Sequence, residues 1–332
     1  MGQQYLDAGK FDPNSPAVLK AVGLVNSNAP RNFETFEAQA QEVEKGSPRM
    51  GRKYEHLYNR LRYWAKESGD PKRLQEFGIN TQQLVGADKQ GNVLYTGYFS
   101  PVIEMRHKPD RTYKYPVYKM PYCQGRCPSR AQIYNGALAG KGLELGYTKN
   151  LIDPFLMEVQ GSGFVHYGDT DEMDYFAYGG KNGHRYTSIG RKLIEMGEVK
   201  KEDMSMKAIK EWVDDHSDAE VRRLLEMNPS YVFFQNQGDA KVRGAAGIPL
   251  LPMAAVAGDK RFFPMGTPIL AEVPLLDKNG KWTGKHELRL LIVLDVGGAV
   301  KKGHFDLYYG MGEEAGTAAG HYQHFGRAWK LF

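Results

Sequence analysis

The stretch that decides the fold reads Leu288-Arg-Leu-Leu-Ile-Val-Leu-Asp295-Val-Gly-Gly-Ala-Val-Lys-Lys-Gly-His304-Phe-Asp306-Leu-Tyr308-Tyr-Gly310. Leu290 to Leu294 is continuously apolar. A strand with one wet face alternates, whereas an unbroken apolar run is covered on both sides, which suits a packed barrel better than an open sheet. Working outward, Pro249 to Val256, Thr267 to Val273 and Leu288 to Val296 are apolar runs of strand length. Asp277-Lys-Asn279-Gly280, between the last two, carries the Asn-Gly signal of a hairpin turn. The final third is therefore expected to be mostly β.

Upstream, Asn92 to Phe99 is rich in aromatic and β-branched residues and predicts a strand. Pro101 and Pro109 follow, and a domain crossover is placed near them. The middle third mixes elements. Ser129 to Gln132 and Ser217 to Glu220 are capping-box patterns with apolar residues at helix spacing behind them. Ser188 to Met196 and Glu202 to Asp214 also read as helices. Asn228-Pro229 ends the helix after Ser217, and Tyr231 to Gln235 is a short strand. The first fifty residues are polar and turn-rich. Tyr54 to Lys66 then reads as a helix with Leu57, Leu61 and Trp64 on one face. The expected class is mainly β with α, an α+β fold. Residues 1–98 and 239–332 form one β domain from both chain ends, and 99–238 form an inserted domain. A groove at such a junction is a usual place for a ligand.

The bulk numbers agree with this plan. A chain of 332 residues suggests about two domains. Apolar content of 41% and charged content of 25% are ordinary globular values. The net charge of +5 is spread without a dense run, which argues against a nucleic-acid stripe. No stretch approaches the ~18–20 apolar residues that span a bilayer. Met1-Gly-Gln-Gln-Tyr5 is no signal peptide, so the one membrane link expected is a native lipid anchor or export signal absent from this chain. Cys123 and Cys127 are the two cysteines. They read as a small disulfide loop of an oxidising compartment in preference to half a metal site, since no second pair completes a tetrahedral set.

Chemistry concentrates in the opening stretch. Asp295 ends an apolar strand, and Asp306 follows eleven residues on, between His304 and Tyr308. Desolvation raises the pKa of such a carboxyl and keeps it protonated near neutrality, as a general acid requires. The plainer alternative is that either aspartate caps backbone N–H groups in glycine turns. Four mechanisms compete. Asp295-Val-Gly suits an aspartic protease, but a second such loop is missing. His304, Asp306, His321 and His324 suggest a metal site, but Gly320 weakens the helix that His-x-x-His needs. A two-carboxylate glycosidase is the third. The fourth uses one carboxyl as acid and then base, with the substrate's own hydroxyl as nucleophile. Val159-Gln160-Gly-Ser162-Gly163 and Gly179-Gly-Lys181-Asn-Gly-His184 match no phosphate loop. They suit either sugar hydroxyls or plain turns.

Taken together, Tyr95-Thr96-Gly97-Tyr98-Phe-Ser-Pro101, the two glycine loops, Asp259-Lys-Arg-Phe-Phe-Pro264-Met-Gly-Thr267, Asp295 and Asp306 resemble the membrane-bound lytic murein transglycosylase A family, with its C-terminal three-aspartate module. The likeness runs from about residue 50 to the end. The Cys123–Cys127 loop looks like an insertion. The resemblance implies a double-psi β-barrel built from both chain ends, a smaller β-rich inserted domain and a groove between them. It implies cleavage of the β-1,4 bond between N-acetylmuramic acid and N-acetylglucosamine with a 1,6-anhydromuramoyl end; the alternatives are a non-catalytic peptidoglycan-binding protein of the same fold and a metal-dependent cell-wall peptidase. The family's catalytic aspartate falls on Asp306, with Asp295 in support. Substrate contacts are expected from Tyr95, Thr96, Gly97, Tyr98, Gln160, Ser162, Lys181, His304 and Tyr308. No cofactor and no metal are expected. Expected partners are peptidoglycan glycan strands and other cell-wall enzymes, with no nucleic acid. The expected location is the periplasm, with attachment to the outer membrane as a lipoprotein.

Overall fold

The computed structural model describes residues 17–21, 24, 28–86 and 91–332, so the reading of Met1 to Tyr5 lies outside the described residues. In chain order the strands are β1 (Val18–Lys20), β2 (Thr81–Val85), β3 (Val93–Ser100), β4 (Val102–Met105), β5 (Tyr115–Tyr118), β6 (Glu144–Thr148), β7 (Gly163–Tyr167), β8 (Glu172–Lys181), β9 (Val232–Asn236), β10 (Ala255–Ala257), β11 (Pro268–Leu276), β12 (Trp282–Asp295), β13 (His304–Met311), β14 (Gln323–Gly326) and β15 (Ala328–Leu331). The helices are α1 (Phe33–Gly46), α2 (Pro48–Glu67), α3 (Arg130–Tyr134), α4 (Ile152–Gln160), α5 (Ile189–Glu195), α6 (Met206–Asp214), α7 (Asp218–Glu226) and α8 (Gly312–Gly320). The chain divides into two compact units. Among the described residues, one comprises those up to 99 together with 243–310 and 314–332, the other residues 100–242 and 311–313.

The first unit carries a mixed sheet in the order β1-β2-β15-β11-β12-β10-β13-β3-β14. Its ends meet. β14 pairs antiparallel with β3, and β15, one residue later, pairs with β11. At the corner the Arg327 carbonyl accepts from the Glu272 amide, so the strand leaves one neighbour and joins the other. That closes a barrel, as the apolar run predicted. β10 lies parallel to β12 and antiparallel to β13. Leu290 to Leu294 are fully buried, and Leu291 and Val293 pack inward with Val256, Phe305, Leu307 and Tyr95. Glu272 and Arg327 form a buried pair at 2.7 Å beside the corner. Asp277 Oδ1 accepts the amides of Asn279 and Lys281, and Gly280 sits at φ 77°, which fits the predicted hairpin.

Two expectations change here. The polar first fifty residues contain α1, whose Phe36, Ala40 and Val43 repeat at helix spacing and are fully buried. Its polar residues are used inward. Asn32 exchanges two hydrogen bonds with the backbone of Leu290, and Gln39 accepts from the Leu251 amide and donates to the Pro249 carbonyl. These side chains stand in for a neighbouring strand. The next helix starts at Pro48, with Ser47 capping the Met50 amide, and buries Tyr58 more completely than Leu57. The second change concerns Pro249 to Val256, where the ladder begins only at Ala255. Pro249 and Pro252 lack the N–H a central strand needs, and Met253 adopts a left-handed φ of 58°.

The second unit holds a four-stranded sheet, β4-β7-β8-β9, and the hairpin β5-β6, with α3 to α7 around them. Ser129 and Ser217 make both arms of their capping boxes. The reading of Glu202 to Asp214 resolves into a short 3-10 turn at Lys201–Asp203 and α6, which Ser205 caps. Arg130 is buried against Glu158 at 2.7 Å and also donates to the carbonyls of Asn228 and Ser230. Cys123 and Cys127 are disulfide-bonded, with Cα atoms 5.3 Å apart.

Candidate active site

Alternation along two strands builds the site. On β13, Phe305 and Leu307 point into the barrel, so His304, Asp306 and Tyr308 share the other face. On the neighbouring β3, Tyr95 points inward, so Thr96 and Tyr98 share the outer face. Thr96 and Tyr98 then each engage one aspartate. Thr96 Oγ1 lies 2.7 Å from Asp306 Oδ1, and the Tyr98 hydroxyl donates to Asp295 Oδ2 at 3.0 Å.

The two carboxyls have different surroundings. Burial pushes the Asp306 carboxyl up to about 6; a Thr96 hydrogen given to the carboxylate would oppose that rise, and the Asp295 charge adds to it. Burial also raises Asp295, but its oxygens accept from the Ala245 and Val296 amides, at 2.8 and 2.9 Å, and from Tyr98. Three donors favour its ionised form. Asp295 thus does cap backbone N–H groups while also supplying charge next to Asp306. Burial raises Tyr98 far above its usual range, reinforced by the charges of Asp295 and Asp306. His304 Nδ1 lies 3.1 Å from the Ala299 carbonyl and Nε2 lies 2.7 Å from Thr96 Oγ1. Burial lowers the pKa of this ring.

The third aspartate of the module has a different set of partners. Asp259 is buried, and its hydrogen bonds to Arg261 hold its carboxyl well below the usual range. Asp259 Oδ2 also accepts the Lys302 amide, at a residue whose φ is 54°. It thereby fixes the turn that leads into His304.

The residues expected to touch substrate separate into groups. Tyr95 does not face a ligand: it is fully buried, stacks on Phe305 and donates to the Arg327 carbonyl. Gly97 is a packing position, since a Cβ there would lie 2.8 Å from the Tyr309 ring and 2.9 Å from Ala319 Cα. Tyr308 is almost fully buried and packs on the Tyr98 ring at 5.3 Å. Thr96 and Tyr98 are half-buried beside the aspartates. Gln160, Ser162 and Lys181 belong to the second unit. Gln160 ends α4, where Gly161 adopts φ 87°, and Lys181 is exposed at the end of β8. In the second glycine loop the buried Asn182 binds the carbonyls of Pro128 and Pro229 and the Tyr231 amide, which is turn chemistry. His324 Nε2 contacts the Gly280 carbonyl, and α8 ends at Gly320, so His321 and His324 share no helix turn. Sequence reading missed Ala257, the small residue in register with both Asp295 and Asp306, and Ala245, whose amide binds Asp295.

One carboxyl raised near 6 therefore lies beside a second one supplied with three donors on the barrel wall. The comparisons with known proteins give the family. Residues 124–235 match the MltA specific insert domain, and residues 254–332 match the 3D domain. A membrane-bound lytic murein transglycosylase A of Vibrio cholerae is 61% identical over 95% of this chain and 86% of its own length. That of Escherichia coli K12 is 51% identical over 99% of this chain and 89% of its own. The crystal structure of E. coli MltA with bound chitohexaose superposes with a TM-score of 0.92 at 49% identity, covering 100% of this chain and 97% of that one. MltA from Neisseria gonorrhoeae gives 0.73 at 25% identity, over 99% and 97%. The chain belongs to the membrane-bound lytic murein transglycosylase A family.

Proposed function

We propose that Asp306 carries out both proton transfers as this lytic transglycosylase cuts peptidoglycan. The observation that carries the reading is the half-buried carboxyl on the outer barrel face, raised to about 6 and placed beside Thr96 and the negative Asp295. Protonated, Asp306 donates to the glycosidic oxygen between N-acetylmuramic acid and N-acetylglucosamine as the C1–O bond breaks with oxocarbenium character. The carboxylate left behind removes the proton from the muramoyl C6 hydroxyl, whose oxygen attacks C1. A 1,6-anhydromuramoyl end forms and Asp306 regains its proton. No water enters the product, and no second carboxylate acts as nucleophile. Asp295 supports the first step, because like charges at short range resist joint ionisation.

Glycan strands are the substrate, with Thr96 and Tyr98 beside the acid pair and Gln160, Ser162 and Lys181 as further contacts. The solved relative with bound chitohexaose supports an oligosaccharide ligand. The periplasm, with a lipid anchor to the outer membrane in the native precursor, is the proposed location. The relatives' membrane-bound name and the Cys123–Cys127 disulfide both support it. No described helix is long and apolar enough to cross a membrane. Mass spectrometry of products from purified sacculi tests the reading. Muropeptides one water lighter than hydrolysed ones are expected; ordinary reducing ends would overturn it.

A further inference from the structure

Thr96 has one hydrogen to give and two neighbours at 2.7 Å, Nε2 of His304 and Oδ1 of Asp306. Counting hydrogens decides which receives it. The Ala299 carbonyl, 3.1 Å from Nδ1 of His304, can only accept, so Nδ1 carries a hydrogen. Burial keeps the ring neutral near pH 7, so Nε2 is bare and must accept. The single Thr96 hydrogen therefore goes to His304, and Thr96 shows only lone pairs to Asp306. Two oxygens 2.7 Å apart attract only if a hydrogen lies between them, and the remaining source is the Asp306 carboxyl.

We propose that Thr96, oriented by His304, is a positioning residue that latches the proton on Asp306 at rest and then turns to donate to the same carboxyl group as that proton is delivered. This rests on Asp306 being the acid. A half-turn of the carboxyl about Cβ–Cγ presents its O–H to the glycosidic oxygen and its bare oxygen to Thr96. The Thr96 hydrogen swings from Nε2 to that oxygen. The O–H bond of Asp306 breaks as an O–H forms on the leaving sugar and C1–O opens. Attack by C6–O then returns the C6 hydroxyl proton to Asp306, and Thr96 swings back. Protons balance, and no outside reagent enters.

The titratable groups around Asp306 are His304 and Tyr308 on its own strand, Tyr98 on β3 and Asp295 at the end of β12, with Asp259 paired to Arg261 nearby in the module. Asp295 is common to every variant below, so differences report on the latch.

The test is the alkaline limb of kcat/KM, which reports the acid in the free enzyme. A hydroxyl that simply donated to the carboxylate would depress Asp306, so Thr96→Val would move that limb upward. The latch gives the opposite sign. Thr96→Val removes the acceptor for the acid proton, and His304→Phe frees the Thr96 hydrogen for the carboxylate. Both are expected to lower the limb by about half a pH unit or more, while Thr96→Ser keeps it in place. An upward shift in Thr96→Val, or an unmoved limb in His304→Phe, overturns the latch. If these variants fail to fold, nitrogen-15 spectra of the unaltered enzyme decide. The neutral Nδ1–H form of His304 is expected at pH 7; the Nε2–H form or an imidazolium refutes the proposal. Turnover by Asp306→Ala would instead refute the assignment of the acid itself, so the two failures are separable.

Discussion

Asp295 and Asp306 are in register with the same residue, Ala257, from opposite sides of β10. One lies on a parallel neighbour and the other on an antiparallel neighbour, so both carboxyls emerge on one face of the barrel wall at one level. Asp295 is supplied with two amide donors, from Ala245 and Val296.

Removing the Asp306 carboxyl separates chemistry from binding. Asp306→Ala is expected to lower release of anhydro-muropeptides by roughly 100-fold or more, the usual worth of a general acid. Sedimentation with sacculi should be almost unchanged. Sustained turnover in a chromatographic assay would remove Asp306 from the mechanism.

The raised Asp306 also has a stability signature. The unfolded chain ionises this group near its ordinary value, while the folded chain does so at about 6. The folded state therefore binds the proton more tightly, and stability falls as pH rises between those values. Asp306→Asn should thus be more stable than the unaltered protein at pH 8, on the order of 1–3 kcal/mol, with the gap closing by about pH 4. Urea titrations at the two pH values check this. An equal difference at both would contradict it.

Asp259 carries the opposite sign. Its depressed carboxyl contributes stability that is present above the unfolded value and lost as pH falls toward the folded one. Asp259→Asn should cost roughly 1–3 kcal/mol at pH 7, a cost that begins to shrink only below the ordinary carboxylate value and is still partly present at pH 3. Because the lost bond to the Lys302 amide loosens the turn before His304, activity should fall as well. Thermal melts at pH 7 and pH 3, with turnover at pH 7, measure both effects. A full melting temperature at pH 7 would be the wrong outcome for this account.

Gly97→Ala probes how tightly the strand with Thr96 is seated. The added methyl meets the Tyr309 ring and the Ala319 backbone at under 3 Å. Overpacking of this kind costs about 1–3 kcal/mol, and the displacement would be passed to Thr96 and Tyr98. Denaturation midpoints and kcat should drop together; an unaffected kcat would mean the strand adjusts without moving its outer face.

Much of this architecture can be read in the residues. The apolar run at Leu290 to Leu294, the Asn279-Gly280 turn and both serine capping boxes each act locally and fold as their chemistry dictates. Helix α1 is harder because Asn32 and Gln39 look like surface residues until the backbones they serve are in place. Pro249 to Val256 misleads because apolar content says nothing about missing N–H groups. At the site, the two aspartates are visible from their setting, but partner choice is not. Period-two alternation separates Tyr95 from Thr96 and Tyr98, and applying it would have moved Tyr95 to the core. That Thr96 meets Asp306, 210 positions away, depends on strand order alone.

The corner at Arg327 has a practical consequence. The strand bearing Thr96 is clamped between β13 and β14, so its alignment with the acid depends on a segment some 230 residues downstream. A fragment ending at Met311 would keep every reactive side chain yet expose a raw strand edge to other molecules. Clumping and silence would arrive together, which makes the tail segment a better handle for disabling this enzyme than its surface suggests.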